Sequence, residues 1–185
     1  MQKNKSAFSI QTITFTALLT ALQIVLGNLL QIPLLGKQYN LGLLPIAAAG
    51  ALMGPIPAAI VGGLGDLIGA HLFPAGAYFP GFTLTNVLVG LVCGFGLHRR
   101  WPTILRVVVT AAGALAVNLL LNSYWLTYLA YVPGRGYWLW LSIRAVNYPI
   151  ELCVNGALVY LTLMMLTRAA PVLPATMRLT RGKED

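Results

Sequence analysis

LGLLPIAAAGALMGPIPAAIVGGLGDLIGA, residues 41–70, decides how the chain is threaded. The stretch is apolar throughout, yet Gly54-Pro55-Ile56-Pro57 sets two prolines and a glycine in four residues. Such a cluster ends one helix and starts another. The two pieces, Leu41–Met53 and Pro57–Ala70, are each shorter than the ~20 residues a perpendicular membrane span needs. Charge elsewhere in the chain narrows the choice between one crossing, two, and a re-entrant hairpin.

Nine of the twelve Lys and Arg residues fall in three places. Lys3 and Lys5 precede the first apolar run, Arg99, Arg100 and Arg106 surround a central break, and Arg168, Arg178, Arg181 and Lys183 follow the last run. Only Lys37, Arg135 and Arg144 lie elsewhere. That asymmetry is the positive-inside pattern, so the net charge of +8 reads as membrane topology, not as a nucleic-acid surface. With both the N-terminal lysines and the His98-Arg99-Arg100 patch on the cytoplasmic side, an even number of crossings must separate them. Two short helices across 41–70 give four crossings and a re-entrant hairpin leaves two; four is the preferred threading.

Composition agrees with a bilayer. Fifty-eight per cent of the 185 residues are hydrophobic and nine per cent are charged, where a soluble domain carries roughly a quarter charged residues. The expected fold is all-α, a polytopic integral membrane bundle of six transmembrane helices forming one domain over residues 1–185. The helices are expected at about 8–30, 41–53, 57–70, 79–97, 103–128 and 138–166, with both termini cytoplasmic. The run from Phe8 to Leu30 is too long for a signal-peptide core and reads as a retained first helix. Cys93 and Cys153 both fall inside apolar runs and read as buried small side chains, and with two distant histidines they offer no metal site. No cofactor is implied.

An ionised group in mid-membrane costs roughly 2.5–3.5 kcal/mol on insertion scales, so Asp66, Arg144 and Glu151 each require a reason. Arg144, Asn147, Tyr148, Glu151 and Asn155 recur at helical spacing and form one stripe on the last helix. Asn118, Asn122 and Trp125 do the same on the fifth, and Thr83 and Asn86 lie on the fourth. Tyr78, Phe79, Phe82, Tyr124, Trp125, Tyr128 and Trp138 crowd the outer ends, more than interfacial anchoring needs. Two readings follow. In one, the polar faces form an internal network in which Asp66 or Glu151 neutralises Arg144. In the other they line a ligand site at the outer end, where Arg144 meets an anion. Candidate ligand contacts are Arg144, Trp125, Asn122, Asn86, Tyr128, Asn147, Lys37 and Tyr78. Asp66 beside Gly62, Gly65 and Gly69 reads as a paired or capping group on a close-packing face. No Walker loop or hydrolase motif is present, so any energy source must be another subunit.

Leu43-Leu44-Pro45-Ile46, Gly54-Pro55, the run from Gly62 to Gly69, and Phe73-Pro74-Ala75-Gly76-Ala77-Tyr78-Phe79-Pro80-Gly81-Phe82-Thr83-Leu84-Thr85 resemble the folate family of substrate-binding (S) components of energy-coupling-factor (ECF) transporters. Asn122-Ser123-Tyr124-Trp125-Leu126 and Arg144 extend the similarity over nearly the whole chain. The resemblance implies a non-enzymatic subunit that binds a folate-like vitamin from outside. It would then topple within a module of one transmembrane coupling protein and two ATPase subunits. Ala17 and Ala21 stand where the family docks the coupling protein, and Gln31–Asn40 where it carries a lid. The chain has Gln31 where the family often shows arginine, and S components for other vitamins share the fold. Another S-component ligand, or a stand-alone proton- or ion-coupled carrier using Asp66 and Glu151, stays open at this point.

Overall fold

The computed structural model describes residues 9–29, 31–34, 37–74, 78–129, 136–169 and 179, with the backbone alone for 31–34 and 37–40. The basic termini, Arg135 and the tail from 170 onward, apart from Leu179, lie outside the described residues.

Six helices carry the fold: α1 (Ile10–Ile24), α2 (Leu43–Met53), α3 (Pro55–Leu72), α4 (Pro80–Leu97), α5 (Ile104–Tyr128) and α6 (Tyr137–Arg168). α1 runs into a π-helical turn, Val25–Leu29, and with that turn it is, among the described residues, one of five helical segments long and apolar enough to cross a membrane. The exception is α2, whose 11 residues rise only about 17 Å. Its residues Pro45 to Leu52 are all buried, as expected of a helix apolar all round. α2 is the centre of the bundle and packs against α1, α3, α4 and α6. Around it the core gathers Ile46, Ala49, Ala58, Val61, Val89, Cys93, Val107, Ala114, Val159 and Leu163. The outward surface is apolar too: Ile13, Leu18, Phe95, Leu105, Val109, Val146 and Met165 are exposed, as suits a surface facing lipid.

Two local expectations need correction. The polar loop at 31–40 contains an antiparallel hairpin, β1 (Gln31–Leu34) and β2 (Lys37–Asn40), with Gln31 opposite Asn40 and Leu34 opposite Lys37. The Leu41 amide donates to the Leu26 carbonyl at 3.1 Å and ties the hairpin's base to the π-helical turn. Cys153 is exposed on the outer face of α6, whereas Cys93 is buried, because α6 flanks the bundle and turns one side to lipid.

The break in 41–70 is a single residue. Gly54 adopts φ 96°, and α3 starts at once with Pro55. Prolines at the first and third helical positions cost nothing, since those amides have no intrahelical acceptor. Glycines then let backbones touch. A Cβ on Gly50 would lie 2.8 Å from the Cys93 carbonyl carbon, and one on Gly90 or Gly94 would strike the Ala58 carbonyl or Pro55. Close approach through small residues is how membrane helices associate when lipid gives no hydrophobic drive.

Consecutive helices alternate in direction. The C-terminal ends of α1, α3 and α5 therefore meet the N-terminal ends of α2, α4 and α6 at the hairpin end. At the opposite end the Arg99 amide donates to the Ala51 carbonyl at 2.9 Å, holding the basic corner against the end of α2.

Candidate functional site

The hairpin-end half of the bundle encloses a cavity of about 350 Å³, within the range of about 300–1,000 Å³ typical of small-molecule sites. All six helices line it. α1 and its π-helical turn give Gln23, Gly27 and Asn28, the start of α2 gives Leu43 and Ile46, and α3 gives Asp66. α4 gives Phe82, Asn86 and Val89, α5 gives Ala114, Leu115, Asn118 and Asn122, and α6 gives Arg144, Glu151 and Asn155.

The polar wall is held by hydrogen bonds between helices. Asp66 accepts from the Thr83 hydroxyl at 2.7 Å and from the Asn86 amide at 2.9 Å. Thr83 uses its only proton on Asp66, so the Tyr78 hydroxyl, 3.0 Å away, donates to Thr83. Across the cavity the Arg144 guanidinium donates through Nη2 to Asn118 Oδ1 at 3.1 Å, and Asn122 Nδ2 donates to the same oxygen at 3.1 Å. Glu151 lies two turns further along α6 in the same wall. Four buried atoms of the wall have no partner: Gln23 Oε1, Asn122 Oδ1, Asn155 Oδ1 and Arg144 Nε. Gln23 and Asn155 are each only 5% exposed. Buried polar atoms without partners cost free energy, and their gathering at one cavity is what a polar ligand would relieve.

Glycines seat the α1 part of the wall. A Cβ on Gly65 would collide with the Gln23 side chain, and one on Gly69 with the Asn28 amide. Gly62 instead makes room for the Asn86 carbonyl of α4. The glycine face read from the sequence therefore serves two neighbours, and two of its three glycines set side chains of the cavity.

Of the candidate contacts, Arg144, Asn122 and Asn86 are in the wall. Trp125, Tyr128, Tyr78 and Asn147 are not. Trp125 packs against Phe79 at 5.5 Å and Tyr124 at 5.0 Å, and its indole N–H donates to the fully buried Thr85 at 3.2 Å. Tyr128 completes the cluster at 6.0 Å from Phe79. These rings join α5 to the N-terminal end of α4. Tyr78 stacks beside His71 at 4.8 Å, and Asn147 bonds back to the Ile143 carbonyl at 3.4 Å. Lys37 has its backbone on β2, and its side chain lies outside the described residues. Gln23 and Asn28 were missed by the sequence reading. Their signal was available, as amide side chains within a 20-residue apolar run. Among the described residues no group of three or more His, Cys, Asp or Glu is placed to hold a metal.

An apolar-surfaced helical bundle with a polar cavity in one half is suited to a bilayer and to holding a small polar molecule. Comparison with known proteins fixes the kind. Residues 7–168 match the family model described as ECF-type riboflavin transporter, S component, and the chain belongs to this family of ECF transporter S components. A folate transporter of Clostridium novyi (strain NT), FolT, is 30% identical over 153 residues, covering 82% of this chain and 87% of that protein. A crystal structure of FolT bound with folic acid superposes with a TM-score of 0.71 at 24% identity, over 82% of this chain and 92% of the other. That structural likeness concerns the fold.

Proposed function

We propose that this chain captures folate, or a closely similar anionic pterin vitamin, at the outer face of the cell membrane. It passes the vitamin to a transmembrane coupling protein driven by two ATPase subunits and itself catalyses no reaction. The observation that carries this reading is the polar cavity with its unpartnered buried atoms, located in the half of the bundle away from Arg99 and Arg100. Positive-inside asymmetry puts those arginines in the cytoplasm, with both termini, and so the cavity toward the outside. The folate transporter of Clostridium novyi supports folate over the riboflavin of the family's description.

In this reading Arg144, Asn122 and Asn86 hold the flat head of the vitamin. The carboxylates Asp66 and Glu151 outnumber Arg144 among the described cavity residues, so an acidic tail lies toward the hairpin, whose strand β2 carries Lys37 as a candidate partner. Trp125, Tyr128 and Tyr78 brace the α4–α5 end of the site, and Asn147 lies next to it on α6. The coupling protein docks on the exposed Ala17 and Ala21, which line an apolar groove with Ile13, Ile60 and Leu64. A stand-alone proton carrier is less well supported, because Thr83 and Asn86 already engage both carboxylate oxygens of Asp66.

Mass spectrometry of the small molecule that co-purifies with the detergent-solubilised protein tests the ligand. A folate is the expected species. A flavin in its place would overturn the vitamin while leaving the transporter intact.

A further inference from the structure

α3 has a groove on each side. The groove it shares with α1 holds Ala17 and Ala21, and a second, of about 450 Å³, runs between α3 and α4. Ile60 and Leu64 line both and form the ridge between them. The small side chains of Ala59 and Gly63 leave the hollow on the α4 side, and Thr83, Val87 and Leu91, spaced by four on one face of α4, make its far wall. Thr83 is the one polar residue of this lining, and its hydroxyl is already engaged by Asp66 and Tyr78. The groove therefore offers a ligand only apolar contact. From Ile56 to Leu67 it follows α3 for about 16 Å, at 1.5 Å per residue. That is close to half of the ~30 Å hydrocarbon core, the depth of one leaflet.

The groove starts at the end of the bundle that carries the basic corner. Pro55 lies against Gly94 there, and Ile56 and Phe95 are both exposed. Phe95 continues the face of Val87 and Leu91 toward the end of α4. The chain then turns at Arg99, which has φ 52° and whose amide is fixed on the Ala51 carbonyl at 2.9 Å. Arg99 and Arg100 are exposed, and Arg106 leans back from α5 to donate to the Trp101 carbonyl at 3.2 Å. The carboxylates among the described residues, Asp66 and Glu151, both belong to the cavity in the other half. The corner is thus a positive patch at the mouth of an apolar trough.

We propose that the α3–α4 groove binds an anionic phospholipid of the cytoplasmic leaflet, with one acyl chain along the groove and the phosphate on the Arg99–Arg100 turn. The match is in polarity and in length. An acyl chain needs an apolar trough one leaflet deep, and an anionic headgroup needs cations at the mouth of that trough, where basic residues beside a membrane attract acidic lipids. The inference goes beyond vitamin capture and takes from that reading only the orientation that makes Arg99 and Arg100 cytoplasmic.

The test gives the detergent-purified chain, washed free of carried-over lipid, phosphatidylglycerol or phosphatidylcholine with identical acyl chains, and counts the lipid retained by native mass spectrometry. One phosphatidylglycerol per chain is expected, held at least about fivefold more tightly than phosphatidylcholine, the scale of one arginine near one acidic headgroup. Equal retention, or tighter phosphatidylcholine, would overturn the site. Arg99→Asn combined with Arg100→Gln removes both charges, and asparagine suits the left-handed backbone; the two lipids should then be retained equally. Ala59→Phe fills the groove and should lower retention of both. A preference that survives the double variant, or retention that survives Ala59→Phe, would overturn the proposal. If Ala59→Phe keeps its lipid and loses the coupling protein on co-purification, the groove belongs to that protein and the lipid site falls. Where a variant fails to fold, the comparison of the two lipids on the parent chain still decides. None of these readings involves folate, so a failed vitamin assignment and a failed lipid site are told apart by which binding is missing.

Discussion

Arg144 has one guanidinium nitrogen on Asn118 and another buried without a partner. Truncating it removes a charge-assisted donor from the ligand and the anchor that orients Asn118 and Asn122. Arg144→Ala should weaken folate binding by roughly ten- to a hundred-fold, from the ~1.5–3 kcal/mol of a hydrogen bond to a charged group. Calorimetry beside a melting curve is the check, and loss of thermal stability with unchanged affinity would make Arg144 a structural residue. Gly65 gives a complementary test, because it touches no ligand in this account. Gly65→Ala puts a methyl group into the Gln23 side chain, an overpacking that typically costs ~1–3 kcal/mol. Both stability and affinity should fall, and a variant with parental values for each would show that the Gln23 seat does not matter. The residues show where sequence reading succeeded and failed. Spacing placed Arg144, Glu151 and Asn155 on one stripe of α6 and Asn118 with Asn122 on one face of α5, and all five line the cavity. Spacing fixes which residues share a face, but not what that face meets. Trp125 shares a face with Asn122 and meets Phe79 and Thr85, while Gln23 and Asn28 stand singly in an apolar run and join the cavity because α1 lies against Gly65 and Gly69.

Among the elements, α1 has two tasks on two sides. Its buried side gives Thr16, Thr20 and Gln23 to the bundle. Thr16 and Thr20 satisfy their hydroxyls on the carbonyls of Thr12 and Thr16, at 2.7 and 2.8 Å, so they enter an apolar setting without open donors. Its outer side presents Ala17 and Ala21 at the floor of the groove with α3. Replacing both by Trp fills that groove and should abolish co-purification of the coupling protein while folate affinity of the isolated chain stays within about twofold, a few tenths of a kcal/mol. Co-purification at the parental level would dismiss this surface as the docking site. The six helices were legible from composition, from the proline-glycine break and from charge, because a bilayer imposes length and polarity on each segment. The hairpin at 31–40 was not legible, since its strands are four residues each and carry a proline and polar side chains. The π-helical turn was also invisible: it changes the rotation of Gly27 and Asn28 without changing the apolar run, and such turns often mark functional positions.

At the scale of the molecule, capture from outside depends on polarity across the membrane. The cavity occupies the hairpin end and the Arg99–Arg100 corner the other, so binding from outside requires that corner to be cytoplasmic. With Cys93 and Cys153 replaced, single cysteines at positions 71 and 100 should label oppositely from outside the cell with a membrane-impermeant maleimide, position 71 strongly and position 100 only after permeabilisation. Equal labelling at both would contradict the orientation. The cavity is expected to bind a folate-type vitamin without help from any other subunit. Calorimetric titration of folate and of riboflavin into the purified chain measures it directly: saturable binding of folate at one site, with riboflavin weaker by about a hundredfold or more, some 2.7 kcal/mol, is the predicted result, and tighter binding of riboflavin, or no heat from folate, is the result that would contradict it.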